Sequence, residues 1–313
     1  MRKTKILICS SEVGAGKRGA SLGPDAVRLS AVNLLFNIFE RLPTEEIKIK
    51  KINKFSPENK SAKYIKMIIQ VQRKIARKMA EAQKEGYTTL IFSGDHSNGA
   101  GFISGMREAY PDKKIGVIWI DAHGDLHSPY TSPSGNMHGM PVAIILCIDN
   151  KENQTRRPKP EVIKNWDRLK QTGLLHISPK IHPEDIVFIG IRDLEAQEWA
   201  VIKSNNIKYF SPKEIEKQGI AKVIKKTEEH FADYDVLYVS FDVDSLDPSI
   251  SKGTGTPVPD GLSMDDAKKL LKAFYAMPNF KALEVTEVNP LLDSENKMAT
   301  AVVKILREAI SFY

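Results

Sequence analysis

Apolar residues along this chain follow two rhythms, and each rhythm predicts a different element. Short, mainly apolar runs occupy residues 5–9, 88–92, 117–120, 186–191, 236–241 and 282–285. Runs of this kind fit strands of a parallel sheet that is covered on both faces. Between them lie segments whose apolar residues recur at steps of three and four. The clearest spans residues 61–86, where Tyr64, Ile68, Val71, Ile75, Met79 and Ala82 form one stripe and Gly86 is placed to end the helix. Further helices are predicted at 100–108, 211–218 (stopped by Gly219), 220–230, 263–275 (capped by Ser263) and 298–310. Strands alternating with helices predict a parallel sheet in an α/β fold. Residues 149–170 are polar and carry two prolines, so they read as an exposed excursion within one domain spanning residues 1–313. No internal repeat or low-complexity segment interrupts the pattern.

Polar residues become informative where the apolar runs end. The run at 117–120 leads into Asp121, His123 and Asp125. If that segment is extended, alternate side chains share one side and all three ligand-type groups leave the strand together. The run at 236–241 ends in Asp242 and Asp244, and the run at 88–92 leads through Ser-Gly-Asp to His96. Six ligand-type side chains thus gather at carboxyl ends of strands, where open α/β sheets hold their sites. A single acid there is ordinarily a turn residue, but that does not account for two Asp-x-Asp clusters and a Gly-Asp-His. Four carboxylates brought together repel and drive one another to take up protons. Two divalent cations remove the conflict, and an oxygen-rich set with two imidazoles favours Mn²⁺ over zinc. A carboxylate shared by two cations sets them roughly 3.5–4 Å apart, where a water loses a proton near neutral pH and becomes a nucleophile.

Composition narrows the alternatives. The net charge is +7, but the basic residues are interleaved with Glu and form no aromatic-rich strip, which argues against a nucleic-acid partner. No apolar run reaches membrane-spanning length, and the run after Met1 is too short for a secretory signal. Cys9 and Cys147 each lie in an apolar stretch and are expected to be buried thiols, as in a cytoplasmic protein. The Gly-rich loop at 13–23 leads into Pro24 as a first helical residue. It lacks GxGxxG and GK[ST], so it reads as a structural turn and not a phosphate cradle.

The segments SGDHS (93–97), DAHGD (121–125), SGNMHG (134–139), SFDVDSLDPS (240–249), GTGTPVPDGL (253–262) and EVNP (287–290) together resemble the ureohydrolases. This superfamily includes arginases, agmatinases and formimidoylglutamases, and the SGNxHG segment is similar to arginases in particular. The resemblance implies a three-layer α/β/α fold with a mostly parallel eight-stranded sheet and two Mn²⁺ per subunit. His96, Asp121, Asp125 and Asp242 would hold one ion and Asp121, His123, Asp242 and Asp244 the other, with Asp121 and Asp242 bridging. Asp125 would also orient the nucleophilic hydroxide, His138 would be the acid or proton shuttle, and Glu287 would grip a planar guanidinium. Thr256 would line the pocket. Ser134 and Asn136 would bind the α-carboxylate of an amino-acid substrate, which implies hydrolysis of L-arginine to L-ornithine and urea. Two positions depart from arginases: His127 stands where they carry Asn, and Glu195 where they carry Asp against the α-amino group. Both changes keep the kind of interaction and alter its reach. They leave N-formimidoylglutamate or another guanidino acid as the alternative substrate, and an inactive metal-binding partner protein as the alternative from another class. The family further implies a homo-oligomer, trimeric or hexameric. The chain ends soon after its last predicted helix, so no long tail for locking subunits is expected.

Overall fold

A computed structural model describes residues 2–49, 57 and 59–310. Its strands are β1 (Thr4–Cys9), β2 (Thr44–Glu46), β3 (Thr88–Ser93), β4 (Ile115–Ile120), β5 (Ile186–Ile189), β6 (Lys208–Phe210), β7 (Val236–Asp242) and β8 (Phe280–Thr286). They form one eight-stranded sheet in the order β2-β1-β3-β8-β7-β4-β5-β6. Every strand pairing in it is parallel. The helices are α1 (Gly23–Asn33), α2 (Ile38–Arg41), α3 (Ile65–Lys84), α4 (Gly99–Ala109), α5 (Pro141–Leu146) and α6 (Pro160–Lys170), followed by α7 (Ala196–Ser204), α8 (Pro212–Gln218), α9 (Ile220–His230), α10 (Met264–Ala276) and α11 (Lys297–Ala309).

Alternation along each strand divides the core in two. On β4, Ile118 and Ile120 pack with α1, α9, α10 and α11, while Val117 and Trp119 pack with α3, α4, α5 and α6. The result is three layers, helix on sheet on helix, as the mainly apolar runs require. Among the described residues, no helix is long and apolar enough to cross a membrane.

Several elements differ from the sequence pattern for local reasons. Helix α3 begins at Ile65 because Tyr64 takes a left-handed conformation (φ 56°). Strand β5 stops at Ile189, where Gly190 turns to φ 96°. The polar excursion conceals α6: Pro160 opens the helix, and Val162, Trp166 and Leu169, spaced by four and three, are buried. Trp166 Nε1 and Lys170 Nζ both donate to Asp149 Oδ1, at 2.8 and 2.7 Å, fastening α6 to the preceding loop. Strands β2 and β6 escape detection because they are three-residue edges with partly exposed side chains. Helix α5 is buried at all six positions and α7 buries only Glu198, Val201 and Ile202, so neither shows an apolar helical stripe. Cys147 is exposed, not buried: α5 ends at Leu146, and Cys147, at φ 59°, turns outward, whereas Cys9 is buried in β1.

The strand order matters for function. β3, β8, β7 and β4 are consecutive neighbours, so the turns at their carboxyl ends meet over the middle of the sheet.

Candidate metal centre

His96 sits in a single 3₁₀ turn directly after β3, a turn capped by Asp95 Oδ1 accepting from Ser97 N at 2.9 Å. Its ring stacks on Trp119 (centroids 4.1 Å apart, planes at 7°), and Nε2 lies 2.7 Å from Ser240 Oγ. The Ser240 hydroxyl is directed at the buried Glu284 carboxylate, 3.4 Å away, which also accepts from Tyr238 Oη at 2.6 Å. Ser240 Oγ therefore accepts from Nε2–H, and Nδ1 is left with a bare lone pair. That lone pair faces three carboxylate oxygens: Asp121 Oδ2 at 3.0 Å, Asp125 Oδ2 at 3.1 Å and Asp242 Oδ2 at 3.1 Å. None of these contacts has hydrogen-bond geometry at Nδ1, and Asp125 Oδ2 is likewise buried without such a partner.

A second cluster adjoins the first. His123 Nδ1 lies 3.1 Å from Asp244 Oδ2 and 3.4 Å from Asp121 Oδ1. Asp121 thus divides its two oxygens between the clusters, held in place by Trp119 Nε1 on Oδ2 (3.1 Å) and the His123 N–H on Oδ1 (2.7 Å). Asp242 has Oδ2 in the first cluster, while Oδ1 accepts from Asp244 N at 2.8 Å. The convergence of Asp121, His123 and Asp125 does not come from strand alternation. β4 has ended at Ile120, and Asp125 sits at φ 51°, so a turn brings the groups together.

Both clusters fit divalent cations. Donors held about 2.1 Å from an octahedral ion lie about 3 Å from one another, the spacing found around His96 Nδ1. The charges agree. Burial and neighbouring carboxylates push Asp125 up to about 6 and raise Asp242 and Asp244. Burial disfavours charge on Asp121 too, and the hydrogen bonds from Trp119 Nε1 and the His123 N–H support its carboxylate. Four buried acids with two imidazoles are a set that a pair of divalent cations neutralises.

The clusters open into a cavity of about 280 Å³ lined also by His127, Ser134, Asn136, His138, Glu195 and Thr256. His138 donates its backbone N–H to Gly14 O, and its Nδ1 is 3.2 Å from Glu287 Oε1. Burial disfavours the charged ring, but Glu287, Asp95 and Asp125 prevail and raise His138 to about 9. Glu287, at φ 64°, is 3% exposed, and its Oε1 also accepts from His96 N at 2.9 Å. Thr256 Oγ1 donates to Asp244 Oδ2 at 3.1 Å.

At the outer end, Ser134 Oγ accepts from Asn136 N at 3.1 Å, and Asn136 Oδ1 accepts from Lys63 Nζ at 2.8 Å. His127 bridges Thr131 Oγ1 (3.1 Å from Nδ1) and Glu195 Oε2 (2.9 Å from Nε2). The His127 contact is the main cause that lowers Glu195 to about 2. By donor type His127, Glu195 and Glu198 could also hold a cation, but His127 and Glu195 already satisfy each other. The Gly-rich loop at 13–23 backs this wall: Gly14 N donates to Asp95 Oδ2 at 2.9 Å, and Gly16 lies against Asn136.

Comparison with known proteins agrees with this geometry. The Arginase family profile matches residues 5–311. The chain belongs to the Arginase family. An arginase of Staphylococcus aureus (strain COL) is 35% identical over 98% of this chain and 97% of its own length. The crystal structure of Bacillus caldovelox arginase superposes with a TM-score of 0.86 at 30% identity, covering 100% of both chains. That of Entamoeba histolytica arginase in complex with L-ornithine superposes with a TM-score of 0.84 at 27% identity, covering 99% of both. As an Arginase-family enzyme, the protein is a hydrolase of carbon–nitrogen bonds in linear amidines.

The pocket of this arginase-family chain also contains groups that the motif reading passed over. Glu198 is buried, and its oxygens accept from the N–H groups of Leu126 and Glu195 at 3.1 and 3.2 Å. Burial, with Glu195 adding to it, raises its carboxyl well above the usual range. Its spacing three residues after Glu195, on the first turn of α7, was the available signal. Asp193 and Ser132 also line the cavity, and nothing in their sequence context marks them out.

Proposed function

We propose that the protein hydrolyses L-arginine to L-ornithine and urea at a pair of Mn²⁺ ions. The observation that carries this reading is one continuous cavity. Its floor is two His/Asp clusters sharing Asp121, and its outer wall offers an amide (Asn136) and carboxylates (Glu195, Glu198) to the two charged groups of an amino acid. His96, Asp121, Asp125 and Asp242 would hold one ion, and Asp121, His123, Asp242 and Asp244 the other. Bound there, the ions supply a nucleophilic water at neutral pH and neutralise the buried acids. Asp125 accepts a hydrogen bond from that water and aims it. Glu287 receives guanidinium N–H groups and holds the planar carbon over the nucleophile. His138, kept charged by Glu287, gives its proton to the leaving nitrogen, because an amine does not leave as an anion. Ser134 and Asn136 face the α-carboxylate and Glu195 the α-ammonium, while His127, with both ring nitrogens engaged by Thr131 and Glu195, orients Glu195 instead of meeting the carboxylate itself. A site built for a carboxylate discriminates against an analogue that lacks one, because its donors are left unpaired.

The test is urea release with Mn²⁺ from L-arginine, agmatine and guanidinobutyrate, alongside formamide release from N-formimidoylglutamate. L-Arginine should be turned over with the highest kcat/KM. Faster turnover of agmatine would remove the carboxylate reading, and formamide release alone would replace the substrate. We further propose that residues 1–313 act as one domain, supported by a sheet that draws neighbouring strands from distant parts of the chain. A trimer or hexamer is what the family resemblance implies, and the exposed Leu29, Val32 and Leu35 are surface that association would cover. Light scattering tests that. The two unpaired cysteines suit a reducing, cytoplasmic setting.

A further inference from the structure

We infer that Lys63 is a positioning and specificity residue that sets the Asn136 amide to read a carboxylate, an inference resting on the amino-acid substrate proposed above. Lys63 belongs to the turn that precedes α3, remote in sequence from the motifs. Its ammonium approaches Asn136 Oδ1 at 2.8 Å. An ammonium has donors and no acceptor, so only the amide oxygen can face it, and the NH₂ is the part left for a ligand. Asn136 is among the residues lining the cavity, and Lys63 stands behind it as a fixed positive charge.

The surrounding contacts hold this arrangement still. Lys63 N donates to Gly135 O at 2.8 Å, so backbone and side chain of one residue grip the same turn. Arg156 ties the two turns together, donating Nη1 to Lys60 O at 2.8 Å and Nη2 to Pro133 O. Gly135 is at φ 72°, and a Cβ there would lie 2.0 Å from Lys60 O, so the turns meet without room for a side chain. A Cβ on Gly16 would lie 2.5 Å from Asn136 Nδ2, so the amide is confined from that side as well. Lys63 and Gly16 thus bound the amide directly, while Arg156 and Gly135 hold together the two turns that carry Lys63 and Asn136. With Lys63 removed, Asn136 can rotate and present its oxygen, which repels a carboxylate.

The experiment is a double-mutant cycle on the Mn²⁺-loaded full chain, reading KM and kcat for L-arginine and inhibition by L-ornithine, which carries the same carboxylate. Lys63→Met should raise KM and the L-ornithine inhibition constant by about tenfold, the scale of a hydrogen bond to a charged group, with a much smaller change in kcat. Lys63→Arg should recover most of that loss. In an Asn136→Ala background, Lys63→Met should add little, because its effect passes through the missing amide. Unchanged KM in Lys63→Met, lost kcat at constant KM, or losses that multiply in the double variant would each overturn the role of Lys63. Unchanged KM in Asn136→Ala alone would instead remove the carboxylate reading, and this inference with it.

Discussion

The two ends of the cavity are built in different ways. At the inner end, the clustered groups follow strands of the core: His96 behind β3, Asp121 behind β4 and Asp242 at the end of β7. His96, Asp121 and Asp242 are buried, and the packing that holds the sheet together also fixes their spacing. At the outer end, Ser134 and Glu195 are exposed, and they sit on connecting segments. There position comes from pairs of polar side chains, His127 with Glu195 and Lys63 with Asn136, which hold one another. The general lesson is a division of labour. The clustered groups at the inner end borrow rigidity from the core, while the polar groups at the outer end rely on local pairings that can change without disturbing the sheet.

That contrast can be broken experimentally, beginning at the inner end. Stripping the protein with a chelator should abolish turnover and lower the melting temperature by roughly 5–10 °C, both recovered with Mn²⁺. An identical melting curve with and without Mn²⁺ would mean the clusters hold no cation. His138→Asn should lower kcat by about 10²–10⁴-fold while metal analysis still finds the same ion content, which separates proton transfer from ion binding. Ser240→Ala frees the His96 ring at Nε2 and should weaken Mn²⁺ affinity by about 10–100-fold, measured by titration of the stripped protein. The smallest effect belongs to the outer end. Glu195→Gln should raise KM for L-arginine by up to about tenfold with kcat nearly intact. A collapse of kcat at fixed KM would show that Glu195 serves the reaction and not recognition.

Legibility in the sequence follows the same division. β3, β4, β7 and β8 are readable because strands buried on both faces leave mainly apolar runs, and the polar groups at their ends are read with them. β2 and β6, at the sheet edges, pack too little to leave such a mark. Helix α6 was hidden by charged residues on its exposed side, although Val162, Trp166 and Leu169 keep helical spacing. Strand alternation and the motif both place Asp125 at the site, but the alternation fails beyond Ile120, and the positive φ that turns Asp125 inward has no signature in an aspartate. Glu198 and Lys63 were invisible for a deeper reason. A glutamate on a first helical turn and a lysine before a helix are ordinary surface residues until tertiary contacts give each a neighbour.

The strand order carries a consequence for how the protein is made. β3 and β4 are adjacent neither in the sheet nor in assembly, because β8 and β7, translated later, lie between them. A ribosome-bound chain that has emerged only through Asp125 therefore carries β2-β1-β3 with His96 on one side and β4 with Asp121, His123 and Asp125 on the other, each with an open edge. The gap closes only when residues 236–286 insert down the middle, joining both halves. Neither His/Asp cluster is complete until that insertion has taken place, because each draws a donor from the end of β7.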